Sequence, residues 1–513
     1  MKLQSTILLL LLVWLGHETF SQPKTHSVSI SVSVPERLRA EVKPRGRLFV
    51  FINQNPTVEP RMQTWPSPGN TIMAKNIIGF DQSKTLELNS EGWTKTADWN
   101  LNTIPEGEYS IQLLWDQDTE ESNPNAPGNL YSDKQQVSVT KLTKVKFELN
   151  NKIAPYQLVA NDLVKQVDLI SDTLSKWWHK PVHIKASILL PSKYRVGQSV
   201  AYPIRYNIAG YGGRYDRINR IVQDKKFMDW WQSEEAPQLI TVFLDGEGPF
   251  GDSYQMDSDN SGPYGYSLIH EVIPSIEKTY RGSSSSDMRF VDGCSTGGWV
   301  SLGLQLYYPV VFNGVFSYSP DAIDFENYQL INIYKDDNAF VNEYGYLRPV
   351  MREVSGEPMF SLKDFIQYEN VLGSSNTYLN SGGQFSAHTA LYSPKGNNGL
   401  PKPLFDPLTG VIDHSVAQYW KKYDFKIYAE KNWTVLGPKL QGKIYVWMGD
   451  MDHFYLNLGT RAFDKFLKST INPTSDAEIV FSPMKGHCEN YSNKTVLLQI
   501  AERIKKITAQ GEK

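Results

Sequence analysis

The stretch RFVDGCSTGGWVSLGLQLYYP, residues 289–309, joins an apolar, strand-like run to a helical run through a cluster of small residues. Within it, GCSTG at 293–297 has the pattern G-x-S-x-G. Between a strand and a helix, this pattern is typical of a strained turn, in which glycines let the chain turn tightly and the serine side chain stands clear of the backbone. We therefore predict that Ser295 is a nucleophile. A glycine-rich turn without chemistry is the alternative.

Strand-like and helical runs alternate from residue 151 onward, and this alternation predicts an α/β catalytic domain over 151–513. The strand-like runs cover 182–191, 202–210, 238–246, 288–293, 312–320 and 443–450, and the helical runs cover 216–231, 266–280 and 297–308. Continuous apolar strands between helices indicate a mostly parallel sheet with helices on both faces. The Asn-, Gly- and Pro-rich segment at about 321–440 is long for a plain crossover and predicts a cap insertion over the active site.

The region before residue 151 has a different pattern. Polar and apolar residues alternate in HSVSISVSV and RLFVFI, and EGEYSIQLLW and KQQVSVTKL are further strand-like runs. Breaks rich in Pro, Asn and Gly separate these runs. A series of short strands of this kind predicts an all-β sandwich domain over 22–150. This region contains no cluster of titratable residues that would suggest catalysis.

The N-terminal residues 1–21 have a short basic start, an apolar run from Ile7 to Leu15 and small residues at Thr19 and Ser21. This layout predicts a secretory signal peptide cleaved after Ser21, and so a secreted or periplasmic protein in a compartment where disulfides persist. A buried strand or an uncleaved anchor is the alternative. The net charge of −3, without a run of Lys or Arg, gives no reason to expect a nucleic-acid or membrane-surface partner.

A nucleophilic serine needs a base, and the base needs an acid that orients it. In α/β-hydrolases both follow the serine, the acid before the histidine. GDMDHFYLN offers Asp450 and Asp452, and IVFSPMKGHCEN places His487 in a Gly-His turn; of the nine histidines only His453 competes with it. We predict His487 as the base. We favour Asp452 as the acid, because the acid commonly stands three residues past a glycine at the strand end, and Asp450 stays open.

Two backbone N–H groups near the serine are expected to stabilise negative charge on the substrate oxygen. One is the N–H of Thr296, directly after the nucleophile. The other is expected in the turn after an early strand, where NIAGYGGRYD supplies a glycine-rich loop. We predict Tyr211 N–H as this second donor, and a glycine turn without such a role is the alternative.

The chain has two cysteines, Cys294 directly before the predicted nucleophile and Cys488 directly after the predicted base. If Ser295 bonds to His487, the two backbones approach closely, and the neighbouring residues then fall within the separation that a disulfide requires. We therefore predict a Cys294–Cys488 disulfide that holds the turn against the histidine loop. Two buried free thiols are the alternative.

Acidic residues follow two of the predicted strands, namely Asp252, Asp257, Asp259, Asp321 and Asp324. Side chains of this kind could bind a hydroxyl-rich substrate at the mouth of the site. We prefer to interpret them as solvated loop charges.

Residues 160–505 resemble the family of α/β-hydrolases described as putative esterases, which includes esterase D-like and feruloyl-esterase-like enzymes. The resemblance rests on YPIRYNIAGYGG, LDGEGPFGDSYQMDSDNSGPYGYSLIHEVIPSIEKTY, GCSTGGWVSLGLQLYYP, GDMDHFYLN and KGHC. It implies that Ser295 is the nucleophile, Asp452 the acid and His487 the base. The Cys-Ser…Asp…His-Cys arrangement also resembles that of tannases and some feruloyl esterases, whereas the added β-domain and the long cap depart from esterase D-like proteins.

Together these observations predict a secreted serine carboxylic-ester hydrolase that forms an acyl-enzyme and needs no metal or cofactor. Its expected partner is an ester substrate, such as an acylated carbohydrate or a hydroxycinnamoyl ester. A serine acyltransferase or peptidase of the same fold and a non-catalytic binding protein on a hydrolase scaffold are the alternatives. The acyl group, the alcohol group and the oligomeric state are left open by the sequence.

Overall fold

The computed structural model describes residues 26–118, 120–195, 197 and 199–511. The predicted signal peptide, residues 1–21, lies outside this part of the chain. Within the described ranges, the helices are all too short or too polar to cross a membrane.

The first part of the chain forms two β-sheets. Their strands are, in chain order, Ser27–Ser33 (β1), Arg45–Asn53 (β2), Asn70–Ile78 (β3), Leu86–Leu88 (β4), Thr94–Lys95 (β5), Gly107–Asp116 (β6), Leu130–Tyr131 (β7), Gln135–Val139 (β8), Leu142–Glu148 (β9) and Asn151–Lys152 (β10). In the smaller sheet β1 lies between β4 and β9, and in the larger sheet β2 lies between β3 and β6. The strands β1 and β9 run parallel, and β2 is antiparallel to both of its neighbours.

The two sheets pack face to face, as in a β-sandwich. Ile30 of β1 shares one buried apolar cluster with Leu48 and Val50 of β2. The run RLFVFI does not alternate in its burial, however, because residues 47–53 are all buried. Phe49 and its neighbours on the outer face pack into a second apolar cluster that also includes residues of the long insertion. The larger sheet is therefore covered on both faces.

The second part of the chain is built on a central sheet of eight strands. Its strands and the small hairpins beside it are Val164–Ile170 (β11), His183–Leu189 (β12), Ile204–Ile208 (β13), Ile240–Leu244 (β14), Glu247–Gly248 (β15), Gly251–Asp252 (β16), Asp257–Ser258 (β17), Gly262–Pro263 (β18), Arg289–Cys294 (β19), Val315–Tyr318 (β20), Pro349–Arg352 (β21), Pro358–Ser361 (β22), Ile444–Gly449 (β23) and Glu478–Ser482 (β24). The order is β11-β12-β14-β13-β19-β20-β23-β24. The strands from β14 to β24 in this order are parallel, and β11 and β12 add an antiparallel edge.

Helices cover both faces of the central sheet. The helices are Glu36–Arg39 (α1), Asp172–Trp178 (α2), Ile218–Gln223 (α3), Lys225–Trp231 (α4), Tyr264–Ser267 (α5), Ile273–Tyr280 (α6), Thr296–Tyr307 (α7), Leu362–Leu372 (α8), Gln384–Tyr392 (α9), His414–Trp420 (α10), Phe425–Leu440 (α11), Asn457–Ser469 (α12) and Asn493–Gly511 (α13). Apolar residues of α6, α7 and α11 pack on one face, and those of α3, α4 and α13 pack on the other. The α/β architecture predicted from the alternation of strands and helices is present.

The long insertion between β20 and β23 packs against the N-terminal sandwich. Tyr368 and Val371 of α8 belong to the apolar cluster on the outer face of the larger sheet. Polar contacts accompany this packing: Tyr368 Oη donates to the carbonyl of Asn70 at 2.5 Å, and Arg47 Nη2 donates to the carbonyl of Val371 at 2.8 Å. The shared apolar cluster explains why the outer face of β2 is apolar in the sequence.

A buried ion pair joins the segments that lead to the predicted site. Arg205 of β13 and Asp292 of β19 have no solvent-exposed side-chain area, and they form a bidentate pair with both N–O distances at 2.7 Å. The Asp292 carboxylate also accepts a hydrogen bond from Tyr491 Oη at 2.8 Å. Arg205 Nη1 donates to Asn493 Oδ1 at 2.9 Å. Two neighbouring strands and the segment after the predicted base are therefore held at one point.

We expect Asp292→Ala to destabilise the fold, because it leaves the Arg205 guanidinium buried without its partner. Breaking a buried pair in this way costs about 3–5 kcal/mol of unfolding free energy, which urea denaturation measures. The matched control is Asp229→Ala: Asp229 and Lys225 are also 2.7 Å apart but lie exposed on α4, where such a pair contributes about 0.5 kcal/mol. Equal losses in the two variants would contradict the role given to burial.

Candidate active site

Ser295 lies in a strained turn between β19 and α7. Its backbone has φ 62° and ψ −127°, a conformation that costs energy for a residue with a Cβ. The two glycines of the motif allow the segments around the turn to approach closely. A Cβ on Gly293 would lie 2.5 Å from the backbone of Gly297, and a Cβ on Gly297 would lie 2.3 Å from the carbonyl oxygen of Ile208. The pattern G-x-S-x-G is thus a steric requirement of this turn.

The structure brings His487 against Asp452. His487 Nδ1 and Asp452 Oδ2 are 2.6 Å apart, and the Asp452 side chain is fully buried. The other oxygen of this carboxylate accepts hydrogen bonds from the backbone N–H groups of Phe454 and Leu456, at 2.9 and 3.3 Å. Asp450 instead forms an ion pair with Arg461. Of the two candidate acids, it is therefore Asp452 that contacts the histidine.

His453, the competing histidine, occupies a supporting position. Its Nδ1 accepts a hydrogen bond from the backbone N–H of His487 at 3.2 Å. This contact fixes the backbone at His487, but it leaves the imidazole of His487 to interact with Asp452.

Ser295 and His487 line the same cavity, which has a volume of about 550 Å³. Within the described residues, no hydrogen bond joins Ser295 Oγ to His487 Nε2. The Nε2 atom is buried and has no hydrogen-bond partner in this part of the chain. Hydrogen bonds between a nucleophile and its base are often long before substrate binds. One nitrogen of His487 is therefore held by Asp452, and the other has no hydrogen-bond partner among the described residues.

The electrostatics around His487 favour its protonated form. Burial alone lowers the pKa of the imidazole, but the Asp452 carboxylate and its hydrogen bond outweigh burial, and the Asp321 carboxylate acts in the same direction. The pKa of His487 is therefore raised above the ordinary value for histidine. A raised pKa strengthens the imidazole as a base in its neutral form.

The two predicted oxyanion donors flank Ser295. Thr296 is the first residue of α7, so its N–H has no intrahelical partner. The loop at 210–213 comes close to the turn, since a Cβ on Gly210 would lie 3.8 Å from Cβ of Ser295. Tyr211 lines the cavity, and its hydroxyl donates to the carbonyl of Gly382. In the described part of the chain, the N–H of Tyr211 has no hydrogen-bond acceptor.

The predicted disulfide is present. Cys294 and Cys488 are bonded, with their Cα atoms 6.0 Å apart and a sequence separation of 194. Both cysteines line the cavity beside Ser295 and His487. The bond therefore links the end of β19 to the loop that carries the histidine.

A buried polar cluster lies behind the predicted nucleophile, and the sequence did not suggest it. Asp321 Oδ2 accepts hydrogen bonds from Thr296 Oγ1 at 3.0 Å and from Tyr254 Oη at 2.8 Å, and it lies 3.4 Å from His388 Nε2. Burial favours the neutral carboxyl, but the hydrogen bonds from His388 and Tyr254 outweigh it and lower the pKa of Asp321. His388 comes from α9 of the insertion, so its position depends on tertiary contacts that no local pattern reveals.

The interpretation of the five aspartates as solvated loop charges is wrong for three of them. Asp252, Asp321 and Asp324 are buried, and only Asp257 and Asp259 of this group are exposed. Burial raises the pKa of Asp252 to about 7. None of the five lines the cavity that contains Ser295. These residues support the fold around the site.

The cavity wall is largely apolar and combines residues from three parts of the chain. Its lining consists of Trp65, Asn207, Ile208, Ala209, Gly210, Tyr211, Arg217, Arg220, Ile221, Cys294, Ser295, Gln384, Phe454, His487, Cys488, Tyr491 and Asn493. Trp65 comes from the N-terminal sandwich, and Gln384 comes from the insertion. Across the described residues, no group of three or more His, Cys, Asp or Glu side chains is arranged to hold a metal ion.

Comparisons with known proteins agree with this geometry in part of the chain. The sequence model of a family described as Putative esterase matches residues 181–355, which include Ser295. No curated protein matches the chain.

Several solved structures are similar to the chain. A ferulic acid esterase is 15% identical, with 67% of this chain and 97% of that chain covered and a TM-score of 0.42. A fluorophosphonate-binding serine hydrolase from Staphylococcus aureus is 14% identical, with 66% of this chain and 98% of that chain covered and a TM-score of 0.39. An S-formylglutathione hydrolase from Agrobacterium tumefaciens is 13% identical, covering 67% and 94%, with a TM-score of 0.38. TM-scores this low carry no weight for the function of this chain.

The family match confirms the resemblance that the motifs indicate. It agrees with an α/β-hydrolase fold for the second part of the chain, where strand, turn and helix carry the serine. Over residues 181–355 the chain matches the Putative esterase family, and its enzyme class is that of a carboxylic-ester hydrolase.

Proposed function

We propose that Ser295, His487 and Asp452 form the catalytic triad of a secreted serine esterase. The observation that carries the proposal is the cavity that Ser295 and His487 share, together with the hydrogen bond between Asp452 and His487 Nδ1 and the unpartnered Nε2 of the same ring. Nucleophile, base and orienting acid in this arrangement support acyl transfer through a covalent ester. The strained backbone at Ser295 supports the same role, because strain of this kind clusters at active sites.

In the first half of the reaction His487 Nε2 takes the proton of Ser295 Oγ as the oxygen attacks the ester carbonyl. The negative oxygen of the tetrahedral intermediate accepts hydrogen bonds from the N–H groups of Tyr211 and Thr296. The C–O bond to the alcohol then breaks, and His487 gives its proton to the leaving alkoxide. This step leaves the acyl group as an ester on Ser295.

In the second half, His487 takes a proton from water, and the hydroxide attacks the acyl-enzyme. Collapse of the second intermediate releases the carboxylic acid and returns the proton to Ser295. The Asp452 carboxylate holds the imidazole in the tautomer with hydrogen on Nδ1 and stabilises the imidazolium that forms. No step needs a metal or a cofactor.

The proposal includes a domain division and a substrate class. A sandwich domain over 22–150, whose larger sheet also includes β10 at Asn151–Lys152, precedes a catalytic domain over 151–513. The insertion at about 321–440 covers part of the site through Gln384. An apolar cavity wall with aromatic side chains fits the acyl or alcohol group of a hydroxycinnamoyl ester or an acylated carbohydrate. Export through the signal peptide at 1–21 fits the disulfide. The tannase-like aspect of the Cys-Ser and His-Cys pairs stays a prediction.

Ser295→Ala tests the nucleophile. We expect it to lower kcat for p-nitrophenyl acetate by about 10⁴-fold or more and to abolish labelling by a fluorophosphonate, because the attacking oxygen is gone. Ser284→Ala is the control, since Ser284 is exposed and does not line the cavity. Undiminished turnover in Ser295→Ala would exclude this residue as the nucleophile.

The pH dependence of kcat/KM tests the base and the acid together. His487 acts in its neutral form, so kcat/KM falls as the pH drops through its pKa. Because the pKa of His487 is raised, this fall on the acid side of the pH profile, the acid limb, is centred above the ordinary pKa of histidine. Asp452→Asn moves this limb to lower pH, since burial then acts without the carboxylate, and lowers kcat by about 10⁴-fold.

Asp450→Asn is the matched control for Asp452→Asn. Asp450 pairs with Arg461 away from the imidazole, so its substitution leaves the acid limb in place. If the acid limb of kcat/KM moved in Asp450→Asn and stayed in place in Asp452→Asn, the acid would be Asp450 and the assignment would be reversed.

The double variant Cys294→Ala/Cys488→Ala tests the disulfide. Opening a loop of this length removes up to roughly 5 kcal/mol of stability in the chain-entropy model. We also expect kcat to fall, because the histidine loop loses its covalent link to the end of β19. Dithiothreitol should reproduce both effects in the unsubstituted protein and have none on the double variant; a reductant effect on the double variant would show another cause.

A further inference from the structure

One wall of the active-site cavity comes from the N-terminal sandwich. Trp65 lies in the connection between β2 and β3, far from Ser295 in sequence, and its side chain lines the cavity together with Ser295 and His487. The side chain is 38% exposed. An indole that stays this open beside a nucleophilic serine offers a flat apolar surface to a substrate that enters the cavity.

Two aromatic rings from other parts of the chain restrict the orientation of the indole. Phe365 of α8 lies with its ring centroid 5.1 Å from that of Trp65, at an interplanar angle of 74°. Phe454 lies 6.2 Å away at 78°, and it also packs edge to face on His487 at 5.0 Å. Trp65 is therefore in ring contact with the insertion and with the loop that carries the proposed acid.

The backbone around Trp65 is held in place as well. Asn70, a buried residue at the start of β3, donates hydrogen bonds from Nδ2 to the carbonyls of Gln63 and Trp65, both at 2.9 Å. Tyr368 of the insertion donates to the carbonyl of Asn70. The exposed ring thus stands on a fixed backbone, and a preorganised surface binds its ligand with a smaller entropic cost.

A second, smaller cavity adjoins the first. It has a volume of about 90 Å³ and shares Trp65, Tyr211 and Gln384 with the larger cavity. Trp65 therefore forms part of the wall of both cavities, so its truncation changes the space next to the proposed oxyanion loop.

We propose that Trp65 is a specificity-determining residue through which the N-terminal sandwich selects esters with a planar apolar group beside the reacting carbonyl. The inference rests on the proposed esterase function. It assigns the sandwich a role in substrate selection, whereas Trp65 takes part in no step of the reaction. The planar group can belong to the acyl side or to the alcohol side of the ester. In either case the ester carbonyl carbon lies in the cavity that Trp65 and Ser295 share.

The test compares the hydrolysis of three esters by Trp65→Ala and by the unsubstituted protein. The rate is measured by titrating the carboxylic acid that each reaction releases. Methyl 1-naphthoate carries the planar group on the acyl side, 1-naphthyl acetate carries it on the alcohol side, and ethyl acetate has none. We expect kcat/KM to fall by about 10- to 100-fold for one naphthyl ester, chiefly through KM, and by less than about threefold for ethyl acetate. The naphthyl ester that loses more identifies the side that Trp65 contacts.

Two variants separate specificity from structure. Trp65→Phe keeps a flat ring and should restore most of the selectivity. Trp177→Ala removes an indole of similar exposure, 43%, that lies on α2 outside the cavity, and it should change none of the three rates.

The outcomes distinguish the two proposals. Equal losses on all three esters would mean that Trp65 supports His487 through Phe454 and would overturn the specificity role. Unchanged rates on all three would overturn it as well. Both results leave the esterase function standing, whereas an unsubstituted protein that hydrolyses none of the esters would overturn that function and the role of Trp65 with it.

Discussion

The buried pair of Arg205 and Asp292 is the constraint on which the geometry of the site depends. Two charges without solvent contact are stable only when every donor and acceptor finds a partner. Here those partners include Tyr491 and Asn493, which follow the proposed base in the chain. Satisfying this buried pair therefore brings together the strand before the proposed oxyanion loop, the strand before Ser295 and the segment after His487.

The disulfide acts on the same junction from the other side of the turn. Cys294 immediately precedes Ser295, and Cys488 immediately follows His487, so the bond restrains the two backbones next to the proposed nucleophile and base. The ion pair depends on exclusion of water, and the disulfide depends on an oxidising compartment. The two links are independent, which explains how a strained turn and a histidine loop distant in sequence keep one relative position.

The N-terminal sheets contact the second part of the chain through the outer face of the larger sheet. Phe49 and Phe51 of β2 pack with Val371 of α8, and Arg47 donates to the carbonyl of Val371 from the edge of that contact. An outer face of this kind would expose apolar surface if the sandwich stood alone. The connection that carries Trp65 is thereby held against the second part of the chain, where Trp65 lines the cavity together with Ser295 and His487.

The sequence by itself determined the alternation of strands and helices, the turn at Ser295 and the two cysteines beside the proposed nucleophile and base. It also narrowed the candidate acids to Asp450 and Asp452. These are local signals: periodicity, glycines where a Cβ does not fit, and short motifs in a fixed chain order. Tertiary structure decided that Asp452 contacts His487, that Asp321 is buried with His388 behind Thr296, and that Trp65 reaches the cavity. Each of these contacts joins segments that are distant in sequence and meet only through packing. The free energy of burying a charge or a ring between two segments depends on both of them, so neither segment alone predicts it.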